Sequence, residues 1–142
     1  MATVVNASAG VDLPVALAPY ATAIERSRHL LSLDNDWDGE GSPGYQETTW
    51  RRAVNIVLTS VTAFVERQPG AVLPVPAIAG GQDGGIDILW DAGTRHLMIT
   101  VPPANDGPVT FHGFDQTNDA REVKGSLDPA DANDWIVRWL TA

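Results

Sequence analysis

The chain has 142 residues, 44% of them hydrophobic, and its 18 acidic residues against 9 Lys and Arg give a formal net charge of −9. That length suits one domain with a self-sufficient core, and the acidic balance argues against direct nucleic-acid binding, which needs clustered Lys and Arg. The absence of cysteine excludes disulfides, thiolate catalysis and Cys-ligated zinc.

Residues 1–13 are small and polar without a clear period, which predicts a loose arm or a short edge strand at Val4–Val5. They lack the basic start and long apolar run of a signal peptide. No stretch approaches the ~20 apolar residues of a membrane span. A cytoplasmic setting is therefore expected, in keeping with the missing disulfide staples. Pro19 suits the first turn of a helix, where its missing N–H costs nothing. Leu17, Ala21, Ile24 and Leu31 fall near helical spacing, and a helix is predicted over 19–33. The glycine, proline and aspartate of 34–44 predict a loop.

The second helix is predicted over 46–68. Trp50, Ala53, Val54, Val57, Leu58, Val61, Phe64 and Val65 recur at three- and four-residue steps, and Pro69-Gly70 ends the pattern. In Leu73-Pro-Val-Pro-Ala-Ile78 two prolines remove amide donors, so an edge strand or extended segment is expected. Residues 80–85 read as a flexible connector. The stretch 84–101 then organises the chain. Two β-favouring runs flank a turn carrying Gly93, the pattern of a hairpin. Ile86, Ile88 and Trp90 share one face, and Leu97, Ile99 and Val101 form the matching set on the return strand.

A third strand is predicted over 109–114 and a weak edge strand over 121–127. Asp128 as N-cap and Pro129 at the first helical position then open a last helix. Its predicted apolar stripe is Ala132, Trp135, Ile136, Trp139 and Leu140. All five tryptophans are expected to anchor the core. The order of elements predicts an α+β fold: an antiparallel β-meander of three to five strands packed by two N-terminal helices and one C-terminal helix, in a single domain over 1–142.

Two segments carry a resemblance: Trp37-Asp38-Gly39-Glu40-Gly41-Ser42 before an amphipathic helix, and Leu73-Pro-Val-Pro-Ala-Ile78 followed by Asp83-Gly84-Gly85-Ile86 running to Trp90. Over about 30–101 the chain resembles a family of small, mostly uncharacterised bacterial proteins. Its members carry a Trp-Asp-Gly-x-Gly loop, a Pro-x-Ile segment and an Asp-Gly-Gly-Ile strand ending in Trp. The resemblance implies a compact α+β domain. It implies no reaction and supplies no catalytic residues.

Asp34, Asp36, Asp38 and Gly39 match the opening of a calcium loop, Asp-x-Asp-x-Asp-Gly, with a helix on each side. The twelfth position, which should hold a bidentate acid, is Tyr45, and Glu47 comes two residues late. The competing reading is a turn: Asp38 bonds nearby amides, Gly39 and Gly41 take positive φ, and Trp37 plugs the core. A second candidate is the outer face of the sheet, where Asp87, Leu89, His96, Met98, Thr100, Thr110, His112 and Phe114 point away from the helices. His96, His112 and an aspartate there would suit zinc or a general base. Leu89, Met98 and Phe114 are too apolar for a face that meets water, so a helix layer or a protein partner should cover them.

Gly-x-Ser-x-Gly, His-Glu-x-x-His and P-loop patterns are absent. The glycines of 80–85 precede no helix and read as loop rather than phosphate cradle. Ser27, His29 and Asp34 make a poor nucleophile triad on or just after one helix. The leading expectation is a non-catalytic acidic protein-binding module without cofactor: an inhibitor, antitoxin-like or immunity-like protein, with phage or mobile-element origin left open. Its expected partner is another protein with a basic surface, reached through Leu89, His96, Met98, His112 and Phe114; a homo-oligomer stays open. The alternative is a calcium- or zinc-dependent sensor or enzyme using Asp34, Asp36 and Asp38 or the sheet histidines.

Overall fold

The structure is a computed structural model and describes residues 4–6, 12–14, 17–71, 73–103 and 107–142. Most of the expected N-terminal arm lies outside the described residues. Within it, β1 (Val4–Asn6) pairs antiparallel with β2 (Asp12–Pro14). The body is α+β. A five-stranded antiparallel meander runs β3 (Ala77–Gly80), β4 (Ile86–Ala92), β5 (Arg95–Val101), β6 (Val109–Asp115) and β7 (Val123–Leu127), with neighbours in sequence adjacent in the sheet. Two helices precede it, α1 (Ala18–Ser27) and α2 (Glu47–Arg67), and α3 (Asp134–Thr141) follows.

The central hairpin forms as its alternation predicts. Ile88 lies opposite Ile99 and Trp90 opposite Leu97, across a turn in which Gly93 takes φ 64°. That sign of φ is costly for a side chain with a Cβ and free for glycine. Ile86, Ile88, Trp90, Leu97, Ile99 and Val101 are all buried beneath the helices. The α2 stripe meets them with Trp50, Ala53, Val54, Val57, Val61 and Phe64. Each large side chain so buried contributes roughly 1.5–3 kcal/mol relative to exposure, which makes this sandwich of helix and sheet the main source of stability.

Buried polar groups are tied across elements. Trp50 Nε1 donates to Ser27 Oγ at 2.8 Å, joining α2 to the end of α1, and Ser27 Oγ donates in turn to the Ile24 carbonyl. Trp90 Nε1 and Tyr20 Oη both donate to the Pro74 carbonyl, at 2.8 and 2.9 Å. The proline-rich segment thus serves as an acceptor for two buried aromatics, and regular pairing starts only at Ala77.

Several boundaries differ from expectation. The first helix stops at Ser27 and tightens to a 3-10 turn over Arg28–Ser32. Leu31 and Leu33 still pack against the core from there. The last helix starts at Asp134, not at Pro129. Asp128 Oδ1 accepts from the Ala130 amide, and the Asp131 amide closes on the Asp128 carbonyl, so Asp128-Pro129 builds a turn. Asn133 then takes φ 55° and donates to the Asp128 and Asp131 carbonyls, re-aiming the chain. Ala132 is consequently exposed ahead of the helix, and Val137 joins Ile136 and Leu140 on its buried side. The tryptophans divide: Trp50 and Trp90 are fully buried, Trp139 partly, while Trp37 and Trp135 are exposed.

Candidate functional site

All three helices lie on one side of the sheet, so its outer face is set by register alone. Leu89 stands opposite Met98, Met98 opposite His112, and His112 opposite Lys124. The neighbouring row is Asp91, His96 and Phe114, and the row beyond is Asp87, Thr100, Thr110 and Ser126. Leu89, Met98 and Phe114 are 39%, 39% and 42% exposed. Among the described residues no helix covers them, which removes the helix layer as the explanation for their apolar character.

The histidines are neighbours on this face but do not converge. The His96 ring stacks on Phe114 at 4.9 Å between centroids, and His112 tilts against the same ring at 6.0 Å. Each histidine has its own carboxylate: His96 Nδ1 pairs with Asp91 Oδ1 at 2.5 Å and His112 Nε2 with Glu122 Oε1 at 3.1 Å. Phe114 therefore sits in a His–Phe–His ladder. The arrangement gives an aromatic platform, not a ligand set around one point. Among the described residues there is no group of three His, Asp or Glu side chains placed to hold a metal ion.

The same holds for the acidic loop. Asp36 Oδ1 accepts from the Gly41 amide at 2.7 Å, and Asp38 Oδ1 accepts from the Glu40 and Ser42 amides. Asp38 Oδ2 takes the Ser42 hydroxyl. Asn35 Oδ1 accepts from Gly44, and the Asp36 amide donates to the Ser42 carbonyl. These bonds, the Ser42 hydroxyl foremost, hold Asp38 below the usual carboxylate range, so it stays charged. Gly39 and Gly41 take φ 74° and 81°. Of the carboxylate oxygens that calcium would need, Asp36 Oδ1 and both oxygens of Asp38 serve the loop's own amides and the Ser42 hydroxyl. Trp37 does not plug the core; it lies half out of the surface with Nε1 donating to the Pro43 carbonyl.

What the sequence reading missed is where this loop leads. Trp37, Asp38, Ser42, Pro43 and Tyr45 form one wall of a cleft of about 460 Å³, and the 80–84 segment with Asp87 forms the other. Tyr45 is buried against both, donating from Oη to the Gly81 carbonyl at 3.2 Å. Burial raises its phenol above the ordinary value, and the Asp38 and Asp87 carboxylates raise it further. Gly80 and Gly81 are needed for closeness: a Cβ at Gly80 would lie 2.3 Å from Tyr45 Oη, and one at Gly81 would lie 3.0 Å from the Asp87 carboxylate. Each wall takes residues from a stretch singled out in the sequence, Trp37, Asp38 and Ser42 on one side and Asp83, Gly84 and Asp87 on the other.

Two further hollows differ in character. An apolar groove of about 730 Å³ runs between α1 and the Val75–Ile78 stretch. At the far end of the sheet a buried carboxylate, Asp115, is bound by Arg95 and Arg121 and by the Thr117 hydroxyl and amide. Those contacts, Thr117 first, keep Asp115 well below the carboxylate range. Arg95 also donates to the Trp139 carbonyl, so this cluster ties α3 to the sheet. Among the described residues no helix is long and apolar enough to cross a membrane. No family model, no curated protein and no solved structure matches this chain.

Proposed function

We propose that this chain is a non-catalytic protein-binding module that docks a basic protein partner on the outer face of its sheet, acting in the cytoplasm as an inhibitor, antitoxin-like or immunity-like protein. The observation that carries the reading is the exposed trio Leu89, Met98 and Phe114 on a face whose remaining side chains are polar apart from the small Ala77 and Ala79. An apolar centre with a polar rim is the anatomy of a protein interface. The rim supplies Asp87, Asp91 and Glu122 against Lys124, and the whole chain carries −9. A second copy would bring the same negative charge to the contact, whereas a basic partner is attracted and steered. The kinship suggested by the loop and strand motifs belongs to this proposal and adds no chemistry to it.

The test is a folded variant with the apolar centre removed: Leu89→Ser, Met98→Ser and Phe114→Ser together. Wild-type and variant chains are used as bait in the source organism, and each recovered protein is then purified and titrated against both. The expected partner has a basic surface, binds the wild type more weakly as salt rises, and loses about 2 kcal/mol or more per central side chain removed. A partner that binds the triple variant equally well overturns the docking face. A wild-type dimer in sedimentation that the triple variant abolishes replaces the basic partner with a second copy.

A further inference from the structure

At one end of the sheet, on its helix side, a hollow of about 380 Å³ is bordered by Asp115, Arg95, Arg121 and the threonines Thr94, Thr117 and Thr141. The sheet-face reading uses none of these residues. Arg95 lies opposite Asp115 and two residues before Leu97, so it belongs to the inward set.

The carboxylate in this hollow has more donors than it can serve. Asp115 Oδ1 accepts from the Thr117 amide at 2.9 Å and the Thr117 hydroxyl at 2.6 Å. Its Oδ2 accepts from Arg95 Nε at 3.3 Å and Arg121 Nη1 at 3.2 Å, and Thr94 adds a side-chain bond. These donors outnumber the about four acceptor positions of an ionised carboxylate. Neither arginine forms the two-bond fork that a guanidinium makes with a carboxylate. Arg95 spends Nε on Asp115 and Nη1 on the Trp139 carbonyl, and Arg121 spends Nη1 alone. Among the described residues, Arg95 Nη2 and Arg121 Nε and Nη2 meet no acceptor. The Arg95 side chain is only 11% exposed, where donors of a cation are costly to leave unpaired. Charge gives the same answer. Two guanidiniums face one carboxylate, and no other Asp, Glu, Lys or Arg borders the hollow. Ala142 lies on the rim, but the ion pairs of both arginines go to Asp115. In a chain of net charge −9, this hollow carries surplus positive side-chain charge and lacks an acceptor.

The surroundings select among anions. A carboxylate brings one negative charge, equal to the surplus, on a planar group that fits the guanidinium edge. Phosphate would bring further charge beside Asp115. The threonine hydroxyls add no donors for a larger oxyanion: Thr94 and Thr117 bond Asp115, and Thr141 donates to the Val137 carbonyl. Pro74, Ala92 and Leu140 supply an apolar side to the hollow, against which a short aliphatic chain gains by burial. Arg95 is already held by the Trp139 carbonyl and lies with Cζ 5.7 Å from the Trp139 ring centroid, so binding orders it little further.

We propose that this hollow is a carboxylate site: a monocarboxylate with a short aliphatic chain is held by Arg95 and Arg121, its tail against Pro74, Ala92 and Leu140. The carboxylate comes from a small free acid or from the carboxyl terminus of a protein chain.

The test is a titration of the ¹⁵N-labelled full chain at fixed ionic strength with butyrate, acetate, N-acetyl-alanine, butyramide and inorganic phosphate. Butyramide keeps the shape and removes the charge; N-acetyl-alanine imitates a chain terminus. The expected result is saturable shifts confined to the Nε–H signals of Arg95 and Arg121 and the amides of Thr94 and Thr117. Butyrate should bind about threefold or more tighter than acetate, because its tail is buried, and butyramide should give no shift. Butyrate binding as tightly as N-acetyl-alanine or better assigns a free acid. The reverse order assigns a protein terminus, and both results support the site. Arg121→Gln, at a half-exposed position, should weaken butyrate binding about fivefold or more. Lys124→Gln makes the same charge change on the outer face and should leave binding unchanged. If Arg121→Gln does not fold, Arg121→Lys, which loses the fork, carries the same comparison. Shifts scattered over the surface, butyramide binding like butyrate, acetate equal to butyrate, phosphate tighter than butyrate, or an unaffected Arg121 variant each overturn the proposal. The Leu89, Met98 and Phe114 triple variant should bind butyrate as the wild type does, so failure of either reading leaves the other standing.

Discussion

Gly80→Ala tests the cleft at its tightest point. The new Cβ would fall 2.3 Å from Tyr45 Oη and 2.6 Å from Cζ, where carbon contacts settle at about 3.5–4.0 Å. Two accommodations exist. If the ring holds, the overpacked site costs about 1–3 kcal/mol. If the ring swings out, the fold forfeits a buried aromatic, roughly 2 kcal/mol. It also loses the bond to the Gly81 carbonyl, about 1 kcal/mol. The chain takes the cheaper route, so the expected loss is about 1–3 kcal/mol. In a Tyr45→Ala background the obstacle is gone. There Gly80→Ala should be neutral or stabilising by about 0.4–1 kcal/mol, because alanine restricts the unfolded chain and Gly80 does not occupy the left-handed region. Urea unfolding followed by tryptophan fluorescence measures all four chains of the cycle. The coupling should reach about 1–4 kcal/mol, with a change of sign or near-neutrality in the second background. Equal cost of Gly80→Ala in both backgrounds would refute the closeness of Tyr45 to this backbone, and with it the shape of the cleft.

Gly113→Ala should cost about 1–3 kcal/mol by the same urea assay, because its Cβ would sit 2.8 Å from the Trp139 ring and 3.0 Å from Val123 Cγ2. Ile88→Ala, fully buried, should cost about 2–5 kcal/mol, whereas Leu89→Ala next to it should fall within about 0.5 kcal/mol. Equal effects at the two positions would remove the inward and outward alternation. Stability should also fall in alkali. Burial raises the Tyr20 phenol above its ordinary value of 10.0, and only the protonated phenol donates to the Pro74 carbonyl. The folded chain thus holds that proton longer than the unfolded one. The contribution is whole below about pH 10 and is lost as pH rises from there toward the folded value. Tyr20→Phe should flatten that alkaline limb in pH-dependent urea midpoints. At the acid end the sign reverses. Asp115 is depressed, so its contribution is present above the ordinary carboxylate value of 3.8 and fades as pH falls toward its folded value.

The hairpin and α2 were legible because burial acts on them through one local period each. Ile88 and Ile99 face inward by parity, and Trp50 to Phe64 by helical spacing. The loop was half legible: Asp38, Gly39 and Gly41 behave as turn residues, and two acids of the motif that imitates a calcium loop, Asp36 and Asp38, accept from loop amides. What failed were features decided at a distance. Asp128-Pro129 has helix-start chemistry, yet Asn133 redirects the chain before α3 begins. Trp37 and Trp135 look like core residues until the positions of their neighbours are known. The cleft needed Tyr45 and Gly80 to be adjacent, and no periodicity in either segment reports that contact.

An antiparallel sheet with helices on one side usually turns polar side chains to water on the other. Here the departure from that rule is built in at folding, because each of the three helices is tied to the inner layer. Trp50 binds α2 to the end of α1 through Ser27, and Tyr20 ties α1 to the Pro74 segment that also receives Trp90. Arg95 holds the Trp139 carbonyl of α3 while pairing with buried Asp115, and Trp139 Nε1 donates to the Arg121 carbonyl. Moving α3 across to cover Leu89, Met98 and Phe114 would strand that buried carboxylate and its arginine, a loss that removing one partner of such a pair always carries. The apolar trio is therefore a fixed surface of the folded chain, and the helix layer that would hide it is committed elsewhere.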